Sequence, residues 1–335
     1  MTSSIFTVGI PTFNRGACAR KLVTKLLPVL PDGACIWVSD NGSTREVEDY
    51  DAIRLLAQEH PNKLTYTRNK TNINFIGNIC ELLKNCTTDW LMLCSDEDKP
   101  NPAYILEILD LGQNSEIGFY RGGVGSDGSY IGNSCNFPKV KLAAGLKALN
   151  SAGYHFNYMS GVVYNCSNLN RLGIVDTFLS GVKQHQAYPH LYLDTLTTVK
   201  LDVQLSDTLS CWEGAPDNGG GDEVSYEYLP PYTVGCRLDQ FWATRCGVFE
   251  ALDSISNQLT LDDIVETYIL ICEKYMRLCI EVDGAIFSSH GLETAEIARC
   301  AAAFMKSAIP KSQGYEVYSK CQWAIDKLLA KRLHV

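Results

Sequence analysis

The chain has 335 residues, 46% apolar and 20% charged, an ordinary globular balance with room for one large domain or two moderate ones. A net charge of −9 excludes the basic face that a nucleic-acid binder needs. Its 14 cysteines form no CxxC pair and Met1–Phe6 lacks the character of a signal peptide, so reduced thiols in a cytosolic compartment are expected.

Ile5–Ile10 is rich in β-formers and stops at Pro11, which predicts a first strand followed by a turn over Thr12–Gly16 and a helix from Ala17 to about Leu30. Cys35–Val38 predicts a second strand, with Ser43 and Thr44 as N-cap candidates for a helix reaching about Gln58. Leu64–Thr67 reads as a third strand, Asn69–Asn74 as a polar loop and Phe75–Asn85 as a helix. Trp90–Cys94 is an apolar strand that ends in Ser95-Asp96-Glu97-Asp98. Three adjacent carboxylates repel one another and are costly to bury unless a cation neutralises them. An oxygen-rich site without histidine suits Mg²⁺ or Mn²⁺, and a solvated acidic turn before Pro100 and Pro102 is the alternative.

Strand, turn and helix in repetition predict a parallel sheet with crossover helices. Ligands of such sheets bind beyond the carboxyl ends of the strands, where Arg15, Asp40, Asn72 and Asp98 would converge. Neither the glycine-rich dinucleotide fingerprint nor the Walker loop is present, so a phosphate would be held by a metal or by side chains.

Beyond Pro102, a helix (Ala103–Leu111) and a strand (Ile117–Tyr120) are expected. Arg121–Gly125 lacks a following helix, so it reads as the approach to a hairpin turn at Ser126-Asp127-Gly128 rather than as a phosphate loop. Met159–Tyr164 predicts a strand in which Ser160-Gly161 permits close approach of a ligand or of backbone. Pro189 suits the first turn of a helix, and His185 and His190, five apart, do not form a zinc pair. Trp212–Asp222 reads as a lid or a plain loop, and Tyr226, Tyr228, Tyr232, Phe241 and Trp242 as sugar-stacking rings or core. Helices are expected at Leu261–Val282, Leu292–Ser307 and Tyr315–Leu333. The last carries Trp323, Ile325, Leu328, Leu329 and Leu333 amid Lys327, Lys331 and Arg332, the pattern of a packed helix or of one lying on an anionic membrane.

Four segments resemble family 2 glycosyltransferases of the GT-A fold. Val8–Arg15 resembles their opening strand, Val38–Ser43 their second-strand signature, Asn72–Asn78 their asparagine-glycine loop with Asn74 in place of the commoner glycine, and Ser95–Asp98 their DxD metal motif. The closest flavour is the bacterial surface-polysaccharide group that includes abequosyltransferase-like enzymes. The resemblance implies an α/β fold with a mostly parallel sheet and flanking helices. It divides the chain into a transferase domain at 1–240, with a nucleotide half at 1–102 and an acceptor half at 103–240, and a helical region at 241–335.

On the same resemblance, Pro11, Thr12, Phe13 and Arg15 line a nucleotide pocket, Asp40 bonds the base, and Asn72 and Asn78 flank the nucleoside. Asp98 with Asp96 binds Mn²⁺ or Mg²⁺ and the diphosphate. Glu97 is expected to face away and to be dispensable. The family's acidic pair at the start of the helix after the Ser-Gly strand is replaced here by Tyr188-Pro189-His190-Leu191. His190, then Asp194, are the candidate catalytic bases. The implied reaction is metal-dependent, inverting transfer of a sugar from a nucleoside-diphosphate donor, UDP first, to a glycan or lipid-linked oligosaccharide. The enzyme would be cytoplasmic, with peripheral contact at the inner membrane face through the C-terminal helix. A sugar-1-phosphate nucleotidyltransferase and a non-catalytic carbohydrate-binding protein on the same fold are the alternatives.

Overall fold

The computed structural model describes residues 4–112, 115–126, 135–184, 188–214, 234–282, 293–310 and 314–333. Its centre is a mixed sheet built on four parallel strands, β1 (Phe6–Thr12), β2 (Ala34–Asp40), β3 (Leu64–Arg68) and β4 (Trp90–Leu93), in the order β3-β2-β1-β4. β1 and β4 are buried along their whole length, which is why β4 reads as a continuous apolar run without alternation. The crossovers are α1 (Gly16–Leu26), α2 (Val47–Glu59) and α3 (Asn74–Asn85).

The chain then forms β5 (Lys99–Pro100), α4 (Pro102–Leu109), β6 (Ile117–Ser126), β7 (Val140–Leu142), α5 (Leu146–Ala148), β8 (Val162–Asn165), α6 (Cys166–Arg171), α7 (Ile174–Gly181), α8 (Pro189–Thr198) and β9 (Asp202–Glu213). β8 joins the sheet antiparallel between β4 and β6, and β9 lies parallel to β6. One face of the sheet packs on α1, α2 and α4, around Val8, Ile36, Tyr50 and Ile105. The other packs on α3, α7 and α8, around Leu82, Phe119, Tyr164 and Leu193.

Arg121–Gly125 continues β6, with register shifts against β9 between Arg121 and Val124, and Val124 bridges back to Cys135, while the expected turn at Asp127-Gly128 lies outside the described residues. The glycines are there for packing. A Cβ on Gly122 would meet the Thr208 carbonyl at 2.4 Å, and one on Gly123 the Cys135 carbonyl at 2.4 Å.

The start of α2 differs from expectation. Its N-cap is Glu46 in the left-handed region (φ 52°), not Ser43 or Thr44. Those two serve the first loop instead: Ser43 Oγ accepts from Asn14 N–H (2.8 Å), and Thr44 N–H donates to Asn14 Oδ1 (2.8 Å). Glu46 reaches across to accept from Ala17 N–H (2.7 Å), capping α1 from another loop.

The C-terminal region is helical: α9 (Val234–Asp253), α10 (Leu261–Arg277), α11 (Thr294–Ser307) and α12 (Gly314–Leu333). Helix α9 begins before the expected edge of the helical region and places Phe241 in its core. Thr260 and Asp263 form a capping box that fixes the start of α10. These helices share a core that includes Tyr268, Tyr275, Met305 and Ile325, and it takes in Leu149, Tyr154 and Val199 from the sheet domain. No helix among the described residues is long and apolar enough to cross a membrane.

Candidate active site

The carboxyl ends of β1, β2 and β4 open on one crevice, and side chains from the expected motifs bond one another there. The loop after β4 is a tight turn closed by Asp98 N–H to the Ser95 carbonyl (3.2 Å). Thr12 Oγ1 donates to Asp96 Oδ2 (2.7 Å) and contacts Tyr50 Oη at 2.9 Å, and that phenol also accepts from Arg15 N–H (3.0 Å). Arg15 Nε lies 3.2 Å from Asp96 Oδ1, and its Nη2 is bonded to Glu97. Glu97 therefore faces the crevice and holds Arg15, contrary to the expectation that it faces away. The alternation of a strand does not survive a turn, which is why the sequence pattern misplaces it.

Asp98 sits apart from this pair. Its Oδ1 accepts from Tyr158 O–H (2.7 Å) and from Gly214 N–H (3.0 Å). Its Oδ2 is buried with no hydrogen-bond partner. Burial raises the Asp98 carboxyl above its usual range, while Ser160, Tyr158 and the Gly214 amide pull it back. Burial also raises Asp96, against the pull of Arg15 and Thr12. Gly214 must be glycine, since a Cβ would stand 2.0 Å from the Glu97 carbonyl. The loop beyond it, expected as a lid or a plain loop, lies outside the described residues, as do His185 and Tyr226–Tyr232.

The base-side motifs are occupied by the chain itself. Asp40 is 0% exposed; Oδ1 accepts from Ser43 N–H (2.8 Å), and Oδ2 accepts from Tyr66 O–H (2.8 Å) with Arg68 Nε at 3.4 Å. Asn41 Nδ2 donates to Asn72 Oδ1 (2.8 Å) and to the Asn74 carbonyl (2.9 Å), and its Oδ1 accepts from Ile73 N–H (3.0 Å). Asn78 pins α3 to the end of β2 by exchanging bonds with Ser39 at 2.6 and 2.9 Å. Asn74 has φ 62°, the left-handed conformation that explains why glycine is commoner there and why asparagine substitutes well. Pro11 is buried at the end of β1, whereas Phe13 is exposed.

The two candidate bases lie elsewhere, on α8 against the sheet. His190 is 1% exposed; its Nε2 is 3.2 Å from the Phe156 carbonyl, and Nδ1 is buried without a partner. Burial and the nearby Arg121 push its imidazole down to about 3. Asp194 is 0% exposed, bonded by Tyr164 O–H (2.6 Å) and pushed up to about 7 by burial. An imidazole that stays neutral down to pH 3 is a weak proton acceptor, and both side chains are buried, with His190 Nδ1 and Asp194 Oδ2 left without a hydrogen-bond partner.

The residues nevertheless fit a divalent cation. The orphaned Asp98 Oδ2 is the kind of hard oxygen such an ion takes, and Mg²⁺-type sites typically use one or two carboxylates and draw their remaining ligands from phosphate and water. Among the described residues no three His, Cys, Asp or Glu side chains cluster as a ready-made cage. Sequence reasoning missed Tyr158, Gly214, Tyr50 and Tyr66, because a single tyrosine or glycine in a loop carries no spacing signal.

Residues 7–126 match the family model "Glycosyl transferase family 2". No curated protein sequence matches the chain. Among solved structures, the chain is similar to Staphylococcus aureus TarS 1–349 in complex with UDP, at 12% identity and a TM-score of 0.60, covering 98% of this chain and 92% of that one. It is similar to the same protein in complex with UDP-GlcNAc, at 12% identity and a TM-score of 0.58 with the same coverage. Residues 7–126 thus match the glycosyl transferase family 2 model, and the chain has the GT-A fold.

Proposed function

We propose that this protein is a glycosyltransferase that moves a sugar from a nucleoside-diphosphate donor to a glycan or lipid-linked oligosaccharide, with a divalent cation and with inversion at the sugar carbon. The setting is surface-polysaccharide assembly of the kind carried out by abequosyltransferase-like enzymes. The work is done in the cytoplasm, with the C-terminal helix touching the inner membrane face. The observation that carries the reading is that one acidic turn carries both an orphaned carboxylate oxygen on Asp98 and, on Asp96 and Glu97, the carboxylates that hold Arg15 of the facing loop. The UDP complexes of the similar TarS fold make UDP the first donor nucleotide to test.

In this reading Pro11, Thr12 and Phe13 form the floor and lip of the nucleotide pocket. Asp40, Asn72 and Asn78, braced by Asn41 and Ser39, frame its nucleoside end. Arg15 leaves Glu97 to meet the diphosphate, since a guanidinium prefers a doubly charged phosphate group when one is available. Asp96 remains at the ribose side of Asp98, held by Thr12. Asp98 would hold Mn²⁺ or Mg²⁺ through Oδ2, and the cation, when bound, neutralises the charge that gathers on the departing diphosphate.

Calorimetry with UDP, GDP and dTDP, each with and without Mn²⁺, tests this directly. We expect one diphosphate to bind, with affinity raised by Mn²⁺ in the unmodified chain and not in Asp98→Asn. Binding by none of them overturns the donor assignment in favour of a non-catalytic role. Equal Mn²⁺ dependence in Asp98→Asn overturns the metal assignment.

A further inference from the structure

Residues 154–158, between the turn after α5 and β8, form a strap whose alternate carbonyls are each taken by a buried group from a different element. Lys274 Nζ, on α10, donates to the Tyr154 carbonyl and to Asn157 Oδ1 (2.7 Å). His190 Nε2, on α8, meets the Phe156 carbonyl at 3.2 Å. Arg121 Nη2, on β6, donates to the Tyr158 carbonyl (2.6 Å), and its guanidinium lies 5.6 Å from the Phe156 ring centre. The free end of the strap is the active site. Tyr158 O–H bonds Asp98, Ser160 Oγ accepts from Ser95 N–H (2.8 Å), and Gly161 N–H donates to the Leu93 carbonyl (3.0 Å).

We propose that Lys274 is a positioning residue: from the C-terminal helices it acts through the strap and Tyr158 to set the orientation of Asp98. This rests on the reading of Asp98 as the carboxylate that faces the cation and diphosphate. The helical region is then a working part of the active site.

The energetics of Lys274 support a role beyond packing. It is buried, and among the described residues no carboxylate comes within ion-pair distance. Removing an ammonium from water is costly when its partners are two carbonyl oxygens and the face of the Tyr275 ring at 5.0 Å, and a methionine of similar length would fill the space at less cost. What methionine cannot do is hold two acceptors, 154 and 157, at fixed separation. The strap has no regular secondary structure from residue 156 to residue 159, so these bonds supply the order that a helix or strand would otherwise give.

The test uses the full chain and two readouts. The first is amide hydrogen exchange without ligand. We expect Lys274→Met to speed exchange at Ser95, Gly161 and Gly214 by about tenfold while the β1 amides of Val8 and Ile10 keep their protection. The second is affinity for UDP with Mn²⁺. We expect Lys274→Met and Tyr158→Phe each to weaken it by about tenfold, and the double variant to be no worse than Tyr158→Phe alone. Asn157→Ala, which removes one of the two Lys274 acceptors, gives a milder loss of the same kind, and Lys274→Arg restores most of it. Ile325→Ala, a core truncation in α12, lowers stability and leaves the affinity within about twofold. Unchanged exchange at the three amides, additive losses in the double variant, or an equal loss in Ile325→Ala would overturn the proposal. If the unmodified chain binds neither UDP nor GDP, the donor reading falls, and the exchange readout still decides whether Lys274 holds the strap.

Discussion

Replacing His190 with glutamine separates a structural histidine from a catalytic one. The glutamine amide can still donate to the Phe156 carbonyl, so the perturbation removes titration more than it removes a contact. Burial and Arg121 hold the folded imidazole near 3, against 6.5 when unfolded. The unfolded state therefore binds the proton first. Stability from the neutral imidazole is fully present above pH 6.5 and is lost as pH falls from 6.5 toward 3. At about pH 5 the unfolded imidazole lies about 1.5 pH units above the solution, which costs the folded protein about 2 kcal/mol. Asp194 works in the opposite direction. Raised from 3.8 to about 7, it stabilises the fold at low pH and loses that contribution as pH rises through the same interval, so the unmodified curve is flattened. Urea unfolding of both proteins at about pH 5 and about pH 7.5 gives the difference in slope. We expect His190→Gln to gain about 2 kcal/mol relative to the unmodified chain on going from the higher pH to the lower. The turnover number at the higher pH should stay within about threefold, because a base that remains neutral to pH 3 gives little proton-transfer rate. Equal pH slopes, or a loss of turnover of about a hundredfold with donor binding intact, would refute the reasoning.

Three further outcomes are expected. Glu97→Gln should tighten nucleoside-diphosphate binding by several-fold in calorimetry, because Arg15 loses its internal competitor and a repelling charge leaves the crevice; weaker binding would contradict the parked-arginine reading. Asn74→Ala should destabilise the chain by about 1–2 kcal/mol in urea unfolding, because alanine disfavours φ 62° and drops the bond to Gly77 N–H, whereas Asn74→Gly should lose less. Gly161→Ala should give little folded protein on size-exclusion chromatography, since its Cβ would stand 1.9 Å from Ser210 Oγ at a backbone φ of +86°.

The first hundred residues were legible because each motif sits where apolar runs of strand length stop, and period and punctuation are local properties. Of the four residues the strand-end argument names, Arg15 bonds Asp96 and Glu97 of the acidic turn, while Asp98, Asp40 and Asn72 each bond other partners, Tyr158, Tyr66 and Asn41. The acceptor half was less readable. β6 and β9 pair across about eighty residues of intervening chain, and the glycines of 122–125 look like a ligand loop until the backbones they admit are seen. Helix α9 escaped because its stripe is broken by Arg237, Asp239, Gln240 and Thr244, which are polar in sequence yet mostly buried against other elements. The surroundings of His190 were hidden for a related reason. Its position after Pro189 is visible in sequence, but the depth of α8 against the sheet is not, and depth decides whether an imidazole titrates usefully.

The acidic turn divides its labour by surroundings rather than by order. Asp96 and Glu97 face a guanidinium and are satisfied without a ligand; Asp98 faces the Tyr158 phenol, the Gly214 amide and Ser160, and its Oδ2 has no hydrogen-bond partner. A diphosphate entering with a cation therefore meets two different responses. On one side it offers Arg15 a better partner than Glu97. On the other it satisfies an oxygen that has none. The first exchange is nearly neutral in the number of bonds, whereas the second removes the cost of an unpaired buried charge, which is the larger quantity. Affinity should accordingly depend more steeply on Asp98 and its brace, Tyr158, than on Arg15. A side-by-side titration of Tyr158→Phe and Arg15→Lys with Mn²⁺ and UDP checks that ordering, and a greater loss in Arg15→Lys would reverse it.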